Sequence, residues 1–321
     1  MNTIHTIFSP RRVPYTVLGG AAKARVRKYL FPLTIVILNR GGRIFREAAL
    51  DDLGGRDDYE VVVIEGPEAV PEIDSLTRKY PAVRFLLLGE TCTTGEKVNM
   101  GVEEAQSKLV FVIWSDMRIP LSALSRRVLE RIEARGLLCT LPVLKSPRME
   151  TVPSLFIPGY EDKKLRIVPW NPLYDSMKSA FPFDYAGVYH KEKFRFSGGY
   201  DGGLPSPYWQ KADFGFRSLL WGEEIAVNTS IFCQYRQDPP REDATPDQSY
   251  KYFYLKNMSV DFRRDRGVLG FRRFPTYLMK SGSGFWKALR EFRAVKRWVW
   301  ENRYRFKAGA RELVDLWPVP E

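Results

Sequence analysis

Five runs of apolar, largely β-branched residues constrain this chain more than any other feature: 33–38 (LTIVIL), 59–64 (YEVVVI), 83–88 (VRFLLL), 109–114 (LVFVIW) and 137–144. Most are continuous rather than alternating, the pattern of strands buried on both faces. Helical patterns lie between them, at 44–53, at 70–79, from about Lys97 onward and at 122–135. Regular alternation of strand and helix predicts an α/β fold with a doubly wound, mostly parallel sheet.

At 321 residues the chain is long enough for one large domain with an appendage, or for two modest ones. A net charge of +12 favours anionic partners: nucleotide phosphates, nucleic acid or an acidic membrane face. The three cysteines, Cys92, Cys139 and Cys233, have no metal-binding spacing and suit a reducing compartment. No apolar run is long enough for a secretory core or a membrane span, so a cytoplasmic location, peripheral at the inner face of a membrane, is expected.

The pattern loosens after Lys145. Pro147, Pro153, Pro158, Pro169, Pro172 and Pro182 punctuate short strand-like pieces, as in a mixed region of loops and antiparallel strands. A helix is expected at 213–221, closed by Gly222, then a strand at 225–232 and a polar, proline-bearing loop at 237–248. The end of the chain differs again. Residues 261–321 hold fifteen Lys/Arg against seven Asp/Glu. Phe285, Leu289, Phe292, Val295 and Val299 recur at helical spacing, with Arg290, Arg293, Lys296, Arg297 and three tryptophans among them. Such a helix either lies on an anionic membrane surface or packs its stripe on the main domain. A basic tail without a reading motif does not favour nucleic acid.

The most informative stretch is 95–118, GEKVNMGVEEAQSKLVFVIWSDMR. A helix starting near Lys97 would point backbone N–H groups at a bound anion, and the strand after it delivers Asp116 to the carboxyl edge of the sheet. Open α/β folds bind ligands there. Asp116 is then either a ligand residue or the cap of a following helix.

Taken in order over about 33–234, these pieces resemble the inverting GT-A glycosyltransferases of family 2. VILNR at 36–40 is similar to that family's opening strand and Thr-Tyr-Asn-Arg loop, VVVIEG to its second strand ending in an acid, and GEKVNMG to its Gly-x-x-x-Arg-Asn-x-Gly helix start, with Val98 in place of the arginine. The Asp-x-Asp metal motif falls on Trp114-Ser115-Asp116. FSGGYDGGLPSPYWQKADFGFRSLLWG, 196–222, is similar to the acceptor-side segment, but Gln210 and Lys211 stand where the family has an acidic pair whose second member acts as base. The family's late metal-binding histidine has no counterpart, since the only histidines are His5 and His190.

The resemblance implies transfer of a sugar, with inversion, from a nucleotide-sugar donor to a saccharide or lipid-linked acceptor, as in polysaccharide biosynthesis. Asn39, Arg40, Glu65, Gly95, Lys97, Asn99 and Asp116 would bind the nucleotide, and Asp116 would hold Mg²⁺ or Mn²⁺. Trp209 and Arg217 would border the acceptor. With Lys211 at the usual base position, Asp213 or Asp201 is the substitute base; plain readings make Asp213 a helix cap and Trp209 a core aromatic. The expected organisation is a basic N-terminal segment (1–30), a GT-A-like domain (31–250, with a nucleotide half at 31–145 and an acceptor half at 146–250) and a basic helical extension (251–321), with an anionic surface as possible partner for 285–311. The missing acids also leave open a catalytically silent relative that keeps the fold as a binding or scaffold module.

Overall fold

The computed structural model describes residues 13–20, 31–40, 42–54, 58–120, 124–162 and 164–318. A short helix at 21–30, the sequence expectation for the end of the basic N-terminal segment, lies outside them. Elements follow in chain order: β1 (Tyr15–Gly19), β2 (Leu33–Leu38), α1 (Gly42–Leu53), β3 (Glu60–Glu65), α2 (Ile73–Lys79), β4 (Arg84–Leu88), α3 (Thr94–Glu104), β5 (Leu109–Trp114), β6 (Met117–Arg118), α4 (Arg126–Arg135) and β7 (Cys139–Lys145). Next come the β8–β9 hairpin (Leu155–Glu161, Lys164–Trp170), β10 (Gly187–His190), α5 (Lys191–Ser197), α6 (Pro207–Leu220), β11 (Ile225–Tyr235) and α7 (Gln248–Phe253). A small hairpin, β12–β13 (Asp261–Arg263, Arg266–Val268), precedes α8 (Phe274–Ser281), α9 (Phe285–Glu301) and α10 (Ala310–Asp315).

The main sheet has the order β1-β4-β3-β2-β5-β10-β7-β11-β6. β4, β3, β2 and β5 run parallel, as their buried runs predict. Antiparallel β10 then inserts between β5 and β7, and antiparallel β1 covers β4 at the opposite edge. The basic N-terminal segment therefore contributes a strand. β2 and β3 are buried at every position, so their residues need no alternation.

Register sets the site. Leu38 pairs with Ile64 on one side and with Trp114 on the other, so Asn39, Glu65 and Ser115 leave the sheet at one level. Strand order reverses between β2 and β5, which makes the gap between their carboxyl ends the topological switch point, where open α/β sheets form a ligand crevice. Helix α3 packs close over β2: a Cβ on Gly101 would lie 2.5 Å from Val36 Cγ1.

Helix α6 starts six residues before the expected 213, with Pro207 in its first turn, a position that needs no N–H donor. Tyr208 through Leu220 are all buried, so the helix lacks the amphipathic period that would have marked its beginning. A second apolar cluster joins the end of α6 (Leu220, Trp221) to α8, α9 and α10. The stripe of α9 lies inside it: Leu289, Phe292, Val295, Trp298 and Val299 are buried. Packing on the protein therefore accounts for that stripe, while Trp286 and Trp300 remain exposed on the basic outer face. Among the described residues, no helix is long and apolar enough to cross a membrane.

Candidate functional site

At the switch point, the ends of β2, β3 and β5 are tied into one hydrogen-bonded chain. Ser115 Oγ accepts from the Arg40 backbone N at 2.9 Å and donates to the Arg40 carbonyl at 2.6 Å. Asn39 Nδ2 donates to Glu65 Oε2 at 3.0 Å. Arg40 spreads its guanidinium over two acids. Nε and Nη2 reach Asp116 at 3.0 and 2.9 Å, and Nη1 reaches the two oxygens of Asp184 at 3.0 and 2.8 Å. The guanidinium also stacks 4.3 Å from the Trp114 ring centre. Burial works against its charge, but Asp184 and Asp116 outweigh this and raise its pKa.

Asp184, which no sequence motif marks, enters from the segment before β10. It and Tyr185 both have left-handed backbone, φ 50° and 60°, which strains residues bearing a Cβ. That conformation lets one residue work in two directions. Its carboxylate faces Arg40 and accepts from Tyr235 OH at 2.9 Å, while its N–H donates to Glu242 at 3.2 Å. Burial pushes the Asp184 carboxyl up to about 6, with Arg40 and Lys211 pulling the other way.

Glu65 is fully buried beneath Asn39 and Arg46. Burial raises its pKa despite Arg46, and its Oε1 has no hydrogen-bond partner among the described residues. A buried orphan acceptor is a standing cost that a donor group would relieve.

At the start of α3, expected to face an anion, the described contacts lie within the protein. Thr93 and Glu96 form a reciprocal capping box, and Gln210 Oε1 accepts from Gly95 N at 2.9 Å. These groups occupy the first-turn donors, and Glu96 adds negative charge where a phosphate would sit. Gly95 is needed for close packing instead, since a Cβ there would lie 2.5 Å from Gln210 and Tyr200. Asn99 clamps the turn before α6, with Nδ2 on Tyr200 O and Oδ1 on Tyr200 N, both at 2.8 Å. Lys97 is half-buried in the same turn of α3.

The polar residues of α6 each hold a different element. Gln210 caps α3, and Lys211 Nζ pairs with Glu242 of the 237–248 loop. Arg217 donates to the carbonyls of Ser197 and Gly199. Asp213 accepts from Lys256 Nζ at 2.9 Å and from Asn257 Nδ2 at 2.8 Å, with Arg217 at 3.4 Å. Burial would raise its pKa, but Lys256 and Arg217 outweigh this and lower it. Asp201 shares Lys256 at 3.0 Å and spends its other oxygen on Gly203 N at 2.9 Å. Both oxygens of each acid, the two expected as substitute bases, thus accept a hydrogen bond within the protein. Trp209, expected at the acceptor, packs on Tyr208, Tyr250 and Phe253 with Nε1 on Thr245 O, and Arg217 is equally buried.

The divalent ion expected at Asp116 meets a poor donor set. Both Asp116 oxygens are occupied by Arg40, and Gln237 Nε2 adds a third bond at 2.7 Å. Asp184 is equally occupied, and no group of three His, Cys, Asp or Glu among the described residues could hold a metal. Hard divalent ions need several free oxygen ligands, and here an arginine fills that place.

No family model matches the chain, and no curated protein sequence matches it. Solved structures do. GalNAc-T7, crystallised with UDP, GalNAc and Mn²⁺, superposes with a TM-score of 0.58 at 14% identity over 92% of this chain. This chain spans 59% of that one. S. aureus TarS matches at TM-score 0.48 and 13% identity, over 70% of this chain and 38% of that chain. The mannosyltransferase PcManGT from Pyrobaculum calidifontis, with GDP-Man and Mn²⁺, matches at 0.41 and 13%, over 89% and 73%. The fold is that of the GT-A glycosyltransferases.

Proposed function

We propose that the chain is a nucleotide-sugar glycosyltransferase that inverts the anomeric centre of its donor. The observation that carries this reading is the convergence of Asn39, Arg40, Glu65 and Asp116 on the switch-point crevice of a GT-A sheet. Arg40 supplies the positive charge for the donor diphosphate, held in place by Asp116, Asp184 and Trp114. The orphan Oε1 of Glu65 suits a ribose hydroxyl. The acceptor side is the face of the 237–248 loop, and a saccharide or lipid-linked acceptor follows from the resemblance. The basic outer face of α9, with Trp286 and Trp300, suits an anionic membrane surface.

Calorimetric titration with UDP and with GDP, each with and without Mn²⁺, tests the reading. Saturable binding of at least one is expected; binding of neither under any of the four conditions would sink it. A second reading is favoured by the saturation of Asp116, Asp184, Asp201 and Asp213 by Arg40 and Lys256: a module that binds nucleotide without turnover. Nucleotide bound with no donor consumed would select it.

A further inference from the structure

The structure assigns the acceptor-activating base to Glu242, an inference that rests on the glycosyltransferase reading. Inverting transfer needs a carboxylate with a free oxygen at the acceptor, and of the acids bonded to Arg40, to α6 or to Asp184 among the described residues, Glu242 keeps one. Asp116 and Asp184 are saturated around Arg40. Asp201 and Asp213 are saturated around Lys256. Glu65 belongs to the donor side, bonded to Asn39 and Arg46. Glu242 differs from all of these. Its Oε1 takes both Lys211 Nζ and the Asp184 N–H, while no bond to Oε2 is found among the described residues.

Glu242 also lines a cavity of about 380 Å³, with Ser206, Tyr208, Arg241, Asp243 and Asp247 around it. Lys211 is 2% exposed, so its charge is committed to this one carboxylate. The lysine that replaces an acid on α6 thus imports another from the loop. Asp184 couples the two halves: its carboxylate holds Arg40 on the donor side and its N–H fixes Glu242 on the acceptor side. In the step itself, Glu242 Oε2 takes the proton of the acceptor hydroxyl. The acceptor oxygen bonds to the anomeric carbon, the bond from that carbon to the diphosphate oxygen breaks, and its electron pair leaves with the nucleoside diphosphate.

The test uses the full chain, a panel of UDP- and GDP-sugars with water as acceptor, and release of nucleoside diphosphate as readout. Loss of a general base costs about 10²–10⁴-fold in rate. Glu242→Gln is expected to lose at least about a hundredfold in turnover while its Kd for the wild-type's preferred nucleotide, UDP or GDP, stays within about threefold. Azide attacks without giving up a proton, so it should restore diphosphate release to Glu242→Ala with formation of the inverted glycosyl azide. Turnover in Glu242→Gln above a third of wild type, or nucleotide affinity lost in parallel with turnover, overturns the assignment. So does a wild-type chain that binds nucleotide yet releases none from any donor. Failure of the wild type to bind UDP or GDP at all is a different result, and removes the glycosyltransferase reading itself.

Discussion

Arg40 grips Asp116 with two donors of its guanidinium, Nε at 3.0 Å from Oδ2 and Nη2 at 2.9 Å from Oδ1. A lysine cannot reproduce that paired hold, so Arg40→Lys would free the cation from the position that Asp116 and Asp184 give it. Arg40→Lys should therefore weaken nucleoside diphosphate binding by roughly tenfold, equivalent to about 1.4 kcal/mol. With arginine in the cation's place, EDTA should change the wild-type Kd by less than about twofold. Calorimetry in chelator reads both, and a chelator-induced loss of binding would count against Arg40 as the diphosphate's partner.

The Gln210 amide is a strut for α3 rather than a piece of the active centre. Gln210→Ala leaves the Gly95 N–H without a partner inside the protein, a penalty of about 1–3 kcal/mol. Urea unfolding should show this loss, while UDP affinity stays unchanged. A variant that keeps its stability and loses UDP would return the phosphate site to the start of α3.

Asp184 gives stability a pH dependence of known sign. Its folded pKa is raised by burial to about 6 from an ordinary 3.8, so the folded protein holds this proton more tightly than the unfolded chain. Its contribution is therefore most favourable below the unfolded value and declines as pH rises through the folded one. At about 1.4 kcal/mol per unit, the total change is on the order of 3 kcal/mol. Asparagine imitates the protonated acid. The stability of wild type relative to Asp184→Asn should fall between about pH 4 and 7; a flat or rising difference in urea melts would contradict the assignment.

The two kinds of tryptophan on α9 should separate in a single experiment. Trp298 is buried against Trp221, with ring centres 5.9 Å apart, and Trp298→Ala should cost about 3–5 kcal/mol. Trp286 is 79% exposed, so Trp286→Ser should leave the melting temperature alone. If the basic face of α9 meets anionic lipid, that same change should reduce flotation with phosphatidylserine vesicles several-fold. Equal flotation of variant and wild type would remove Trp286 from any such contact.

The strands that were legible in the sequence are those buried on both faces, because burial leaves an uninterrupted apolar run such as 109–114. Their order also delivered Asn39, Arg40, Glu65 and Asp116 to one sheet edge. Strand β10 was not legible, being four residues long and recognisable only from its partners β5 and β7. Helix α6 was read short for a different reason: a helix enclosed on every side has no polar face to mark its first turns. The partners of its charged residues were hidden by distance along the chain. Lys256 lies 43 residues from Asp213, Glu242 lies 31 from Lys211, and Asp184 lies 144 from Arg40. The clearest local hint was Asp184 itself, set between Pro182 and Gly187 in a segment with no helical or strand period.

Lys256 belongs by sequence to the basic extension, yet its ammonium is the counter-ion of two carboxylates inside the sheet-bearing half, Asp201 and Asp213. A chain cut at residue 250 would take the ammonium from Asp201 and leave Asp213 with Arg217 alone in a buried setting. Such a fragment should be recovered as aggregate, whereas one ending beyond residue 257 keeps the neutralising charge and its neighbour Asn257. The extension is thus not a detachable tail: the first half of the protein depends on it for electrical neutrality.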